Sequence, residues 1–197
     1  MTALRPDLAA IAAAVPAGAR VLDIGCGDGA LLAHLRETKG VEGRGIDVAS
    51  ANVAACVARG LSVVQGDADT DLGDYPDDAF DMAILSDTLQ AMRAPAMVLG
   101  QLLRIGRRGV VSFPNFGHWR VRRALLLGGR MPVTPSLPVS WHETANIHLC
   151  TIDDFRALAA DLGFAIESAT FLSDGAGRGA AFANLLADQA VFVLRRR

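Results

Sequence analysis

The run Val21-Leu22-Asp23-Ile24-Gly25-Cys26-Gly27-Asp28-Gly29 places three glycines and three acidic or thiol side chains where a β-branched stretch meets a helical pattern. Glycines, lacking a β-carbon, let a ligand approach the backbone, and the N-terminus of the following helix offers unpaired N–H groups to an anion. Asp47 ends the next strand-like run, where a carboxylate accepts both hydroxyls of a ribose, and Asp67 ends the third, placed to meet a base edge. Ligand-type positions at three successive strand ends describe a nucleotide-type site. Gly25 to Ala30 also satisfies the dinucleotide fingerprint, with alanine as its last residue. Charge argues against a pyrophosphate, because Asp23, Asp28, Asp47 and Asp67 surround the expected pocket with carboxylates. S-adenosylmethionine, with a sulfonium, an ammonium and a single carboxylate, fits such a pocket better.

Methyl transfer is an in-line displacement that needs a positioned nucleophile and, for some acceptors, a base. The end of the fourth strand reads Leu85-Ser86-Asp87-Thr88-Leu89-Gln90, without the Asn/Asp-Pro-Pro-Tyr/Phe sequence of amino-group methyltransferases or the Pro-Cys of cytosine-5 enzymes. Asp87 either holds a substrate amine, acts as a base, or serves as an exposed helix cap, and the last is the favoured reading. His118 and His148 are the other candidate proton acceptors. His142, Glu143, His148 and Cys150 match no standard zinc spacing, so no metal is expected. Arg120, Arg122, Arg123 and Arg130, near Phe116 and Trp119, read as a solvated helix face or a protein interface.

The elements that must hold these groups alternate between strand and helix, the signature of a mostly parallel sheet. Strands are predicted at 20–24, 43–47, 61–65, 80–85 and 109–113. Helices are predicted around Leu31–Leu35 up to Gly40, from a Ser50 cap through Val53 and Val57 to Gly60, and from Pro95 through Leu103. Residues 66–79 read as loop with at most a turn of helix. The alternation breaks at Pro114–Cys150, which holds four of the eight prolines, both tryptophans and three of the four histidines, and so reads as an insertion serving a site or an interface. Thr151 with Asp154 resembles a capping box opening a helix to Leu162. Strands at 164–171 and 190–194 follow, with Gly175–Gly179 between them as a mobile loop. One α/β domain over 1–197 results, Rossmann-like, with a seven-stranded mostly parallel sheet, a final antiparallel strand and helices on both faces.

The 197 residues, 51% hydrophobic and 20% charged, suit one well-cored unit. A net charge of -2 argues against a general nucleic-acid binder. Three cysteines at wide spacing suit reduced thiols and a cytoplasmic protein. The apolar run Leu8–Val15 before Ala17-Gly18-Ala19 imitates a secretory leader, but Asp7 interrupts it, and Leu8, Ile11 and Val15 follow helical spacing. No apolar run reaches the length of a membrane span.

Residues 20–113 resemble class I S-adenosylmethionine-dependent methyltransferases. The resemblance implies that Asp23, Gly25, Gly27 and Gly29 form the methionine-end loop, that Asp47 is the ribose carboxylate and Asp67 the adenine contact, and that S-adenosylmethionine or S-adenosylhomocysteine is bound. Three further strings carry a closer likeness: Ser112-Phe113-Pro114-Asn115-Phe116-Gly117-His118-Trp119, Gly129-Arg130-Met131-Pro132-Val133-Thr134 and Asn146-Ile147-His148-Leu149-Cys150-Thr151. With Arg5-Pro6-Asp7-Leu8 and Thr88-Leu89-Gln90-Ala91, they resemble the methionine-biosynthesis MetW family over nearly the whole chain. Asp87 departs from the glutamine expected there. That family implies an accessory or activating partner of a MetX-type homoserine O-acyltransferase. The alternative is a small-molecule methyltransferase. A homodimer is compatible with either.

Overall fold

The computed structural model describes residues 4–197. A first helix, α1 (Pro6–Ala14), precedes β1 (Arg20–Ile24), α2 (Ala30–Lys39), β2 (Glu42–Asp47), α3 (Ser50–Ala58) and β3 (Ser62–Gln65). β4 (Phe80–Ser86), α4 (Pro95–Ile105) and β5 (Gly106–Pro114) follow, then α5 (Trp119–Gly128) and α6 (Ile152–Asp161). The chain closes with β6 (Phe164–Ser173), β7 (Ala176–Arg178), α7 (Ala183–Leu186) and β8 (Gln189–Arg196). The sheet order is β3-β2-β1-β4-β5-β8-β6-β7. β1 to β5 run parallel, and β8 lies antiparallel between β5 and β6. The chain order reverses on either side of β1, between β2 and β4, and that switch point is where α/β sheets bind ligands.

Both faces of the central strands are covered, so successive residues enter different layers. Leu22, Ile24, Ala83, Leu85, Val111, Phe113, Phe192 and Leu194 pack with α4 and α6 in one layer. Val21, Met82, Ile84, Val110, Val191 and Val193 pack with α1 and α2 in the other. Phe113, Phe155 and Phe192 anchor the first layer, with ring centroids 4.8–5.9 Å apart. In the second layer the chain's one lysine, Lys39, donates from Nζ to the carbonyls of Ala12 and Val15, each at 2.5 Å. It thereby covers the negative end of α1, whose last carbonyls have no intrahelical partner.

The sheet has eight strands rather than the expected seven. The stretch read as a mobile glycine-rich loop is a tight hairpin, in which Ser173 pairs with Ala176, and Asp174 and Gly175 form the two central residues with φ of 49° and 79°. That geometry is the I′ turn favoured by Asp-Gly because it matches strand twist. Arg120 on α5 grips the turn, donating to both Asp174 oxygens at 2.6 and 3.0 Å. This guanidinium holds the Asp174 carboxyl below its ordinary pKa.

Two expected helix starts fare differently. α3 begins at Ser50, but the hydroxyl does not cap it; the Asp47 carboxylate accepts from Ala49 N–H and the Asn52 amide instead. At α6 the expected capping box is complete, with Thr151 Oγ1 accepting from Asp154 N–H and Asp154 Oδ2 accepting from Thr151 N–H. Thr151→Ala is expected to cost about 1 kcal/mol of stability, read as a shift of the urea midpoint at unchanged slope.

Candidate functional site

A cleft of about 710 Å³ opens at the C-terminal ends of β1 and β4. That is within the range of small-molecule sites. Leu4, Arg5 and Leu8 form one wall, and α2 another through Leu31, His34 and Glu37. Its floor contains Asp23, the Gly25–Asp28 turn, Ser86 and Asp87.

The turn is fastened to the neighbouring strand. Gly25 and Cys26 N–H donate to Ile46 O at 2.8 and 3.2 Å, and Gly27 N–H donates to Asp47 Oδ2 at 2.8 Å. Gly25, Gly27 and Gly29 all have positive φ, between 56° and 76°. A β-carbon at Gly25 would lie 2.5 Å from Thr88 Oγ1, whereas one at Gly27 would meet nothing within 4 Å. The space over Gly27 is therefore open to a ligand, while the space over Gly25 is taken by the protein. Gly27→Ala is accordingly expected to lower stability by only about 1–2 kcal/mol, the left-handed backbone cost, yet to weaken any ligand seated on the turn more than tenfold. Thermal melting and calorimetry on one preparation separate the two effects.

Asp23 is buried beneath this turn, and its Oδ1 has no hydrogen-bond partner. Burial, with a smaller contribution from the charge of Asp47, pushes its carboxyl up to about 7. A buried carboxyl with an idle oxygen is set to receive a donor, and a cationic donor would favour its ionised form. The other acidic positions are engaged locally. Asp28 pairs with Arg59 at 2.9 Å and accepts from Ala30 N–H at 3.1 Å. Asp47 accepts from Gly27, Ala49 and Asn52, and Asp67 accepts from Asp69 N–H at 2.9 Å. Asp23, Gly25, Gly27 and Asp28 line the cleft; Gly29, Asp47 and Asp67 are not among its lining residues. Gly29 instead packs its backbone on α3, where a β-carbon would stand 2.8 Å from Cys56 Sγ.

The three candidate proton acceptors are not brought together. Asp87 lines the cleft, but it is no exposed helix cap. It sits at φ 52°, accepts from Gln189 at 3.0 Å and Arg5 at 3.1 Å, and is shifted upward chiefly by burial and then by the charge of Asp7. Arg5 also pairs at 2.8 Å with Asp7, a buried acid whose role no periodicity reveals. His118 is buried at the start of α5 with Nε2 unpartnered, and burial lowers its pKa. It does not line the cleft. His148 borders a separate cavity of about 340 Å³ with Gln90, Cys150 and Phe155. Among the described residues, no three His, Cys, Asp or Glu side chains converge on a metal-sized point, and no helix is long and apolar enough to cross a membrane.

The unusual strings turn out to fasten the insertion to the core. Asn115, fully buried, donates to Asn184 O at 3.1 Å and Ala187 O at 2.7 Å, and accepts from Gly117 N–H at 2.9 Å and Ile152 N–H at 3.2 Å. Gln90, equally buried, donates to Pro114 O at 3.0 Å and Cys150 Sγ at 3.2 Å. The Gln90 carbonyl accepts from both Ile147 and His148 N–H at 2.9 Å. Three segments distant in sequence are thus closed over the C-terminal edge of β4 and β5.

Strand order, reversed terminal strand and glycine turn define a class I methyltransferase-like fold. It is shared with a SAM-dependent methyltransferase of Thermotoga maritima, described as a possible histamine N-methyltransferase, at TM-score 0.71 and 16% identity over 98% of this chain and 88% of that one. A S-adenosylmethionine-dependent methyltransferase of Mesorhizobium loti matches at TM-score 0.71 and 19% identity, over 97% and 98%. The family model described as methionine biosynthesis protein MetW matches residues 5–194, and the chain belongs to that family. A bifunctional methionine biosynthesis protein MetXA/MetW of Rhodopirellula baltica is 36% identical over 205 residues, covering 98% of this chain and 33% of that protein. The chain therefore spans about a third of the length of that relative.

Proposed function

We propose that this chain binds S-adenosylmethionine or S-adenosylhomocysteine in the Asp23 cleft and acts as an accessory subunit of a MetX-type homoserine O-acyltransferase in methionine biosynthesis. The observation that carries the partnership is the Rhodopirellula baltica relative, named for both functions, in which a segment like this chain occupies a third of one polypeptide. Linking two units raises their effective concentration, so a fused relative suits units that associate when separate. Asp23 would hold the ligand's ammonium and the open turn at Gly27 its carboxylate end, with Gly25 and Gly29 shaping that turn; the family likeness assigns Asp47 to the ribose and Asp67 to the adenine, although neither lines the cleft. The bound group would supply an electrophilic methyl or, without transfer, an end-product signal. Both Asp87 oxygens are engaged, which favours signalling over proton abstraction.

The test is co-purification of the chain with homoserine O-acyltransferase and measurement of acyltransferase rates with and without it. A complex and a rate that responds to S-adenosylmethionine are expected; equal rates with no complex overturn the reading.

The position of Asp87 in the same cleft as Asp23 supports a second reading, a small-molecule methyltransferase. Turnover of methyl-labelled cofactor that Asp87→Asn suppresses and His118→Ala and His148→Ala do not would favour it.

A further inference from the structure

The insertion exposes an unusual amount of apolar surface. Leu126 and Leu127 at the end of α5 are 84% and 77% exposed, and Trp141 is 71% exposed. Val133, Val139 and Ile147 are also exposed. Val139, Trp141 and Ile147, together with Phe116, Met131 and Leu137, wall a groove of about 310 Å³. Isolated exposed leucines are ordinary on a protein surface, but a contiguous group around a groove marks an interaction site.

Charge identifies what covers it. Arg123 stacks over Trp119 at 5.5 Å, and Arg122 donates to Gly117 O at 2.6 Å. Among the described residues neither these two nor Arg130 has a carboxylate partner. Arg120 is already matched to Asp174. The one acid in residues 115–149, Glu143, accepts from Ser140 at 2.6 Å. Arg130 directly precedes Met131 of the groove wall, Arg122 is bonded to Gly117 next to the wall residue Phe116, and Arg123 lies on the same helix as Arg122, so the segments that flank the groove carry three unmatched guanidinium groups. A second copy of the chain would bring like charges together across the two-fold axis of a symmetric contact. A different surface, with carboxylates around a protruding apolar side chain, satisfies both the groove and the arginines. Arginine and tryptophan are the side chains most often dominant in such contacts.

We propose that the α5–Ile147 face is where the chain docks an acidic-rimmed protein partner, and that the Asp23 cleft remains open in the complex. This rests on the reading above, in which that partner is the acyltransferase. The geometry then separates two jobs: the cleft takes the small molecule, and the insertion takes the protein. Since Gln90 and Asn115 fasten the insertion to the ends of β4 and β5, the docking face is tied to β4, which borders the cleft, and to its neighbour β5.

Surface plasmon resonance with the full chain and homoserine O-acyltransferase tests this, using wild type, Trp141→Ser, Arg123→Glu and, as a control, Val57→Ser at an exposed apolar position on α3. Each insertion variant is expected to raise Kd at least tenfold with an unchanged circular-dichroism melt, while Val57→Ser binds as wild type. The wild-type Kd should rise with salt, and less steeply for Arg123→Glu. A complex indifferent to both insertion variants overturns the docking face and leaves the partnership standing. Absence of any wild-type complex overturns the partnership and the docking face together. A dimer of the chain alone that Trp141→Ser dissolves, or RNA binding that Arg123→Glu abolishes without any protein complex, assigns the face to another occupant and overturns the proposal.

Discussion

Asp23→Asn is expected to weaken S-adenosylmethionine binding by about 100-fold, equivalent to ~2.7 kcal/mol, because it removes the charge proposed above to meet the ligand's ammonium in a buried setting. The same substitution is expected to stabilise the ligand-free protein at pH 8, by of order 2–4 kcal/mol, since each pKa unit is worth about 1.4 kcal/mol. An unfolded aspartate loses its proton near 3.8, whereas folded Asp23 keeps it to about 7. Between those values the folded state binds more protons than the unfolded state, so wild-type stability falls as pH rises from 4 to 7 and then levels. Asn at this position removes that slope, and the variant should gain nothing at pH 4. Ligand affinity runs the other way. The ammonium favours the ionised carboxyl, so affinity should rise between pH 6 and 8 and binding should release a proton. Calorimetry at pH 7 in phosphate and in Tris reads the proton as a difference in heat between buffers. A pH-independent affinity together with no gain in stability would show that Asp23 is an ordinary buried acid.

Asn115→Ala is expected to be the most destabilising of single polar substitutions in the insertion anchor. It leaves two carbonyls, of Asn184 and Ala187, and two N–H groups, of Gly117 and Ile152, without their partner. A buried polar group left unsatisfied costs about 1–3 kcal/mol. Relaxation and water entry recover part of that, so a net loss of about 4 kcal/mol and a fall of roughly 10 °C in Tm are expected for a chain of this size. Asn115→Asp tests the same point with almost no change in volume, since it sets a carboxylate oxygen against the two carbonyls. His118→Ala nearby, which breaks none of these bonds, should cost less. If Asn115→Ala melts within 2–3 °C of wild type, the insertion is not held to the core through this amide.

The alternation of apolar runs made β1, β4, β5 and β8 readable because each sends side chains into both main core layers, and apolar spacing reports that kind of burial. β7 escaped because all three of its residues are exposed and it is held by backbone pairing alone. The Asp174-Gly175 pair was its available signal, hidden by the three glycines at 175, 177 and 179. β5 begins three residues earlier than its apolar run because Arg107 and Arg108 present their side chains to solvent. The glycine turn and Asp23 were legible because strand-to-helix placement gives those residue types a meaning. Buried Gln90 and Asn115 were not, since they hold partners far away in sequence: Asn115 reaches residues 37 and 72 positions distant. Polar anchors obey hydrogen-bond arithmetic and leave no periodic trace.

The cap on α1 has a practical consequence. With one lysine in the chain, reagents that acylate side-chain amines have a single internal target, and its ammonium is spent on the end of the helix that bears the Leu8 wall of the cleft. Modification of Lys39 therefore reports detachment of that helix, and its rate is a stopwatch for the opening of the wall. A ligand that bridges the glycine turn and Leu8 would slow the clock, and one that binds elsewhere would leave it running.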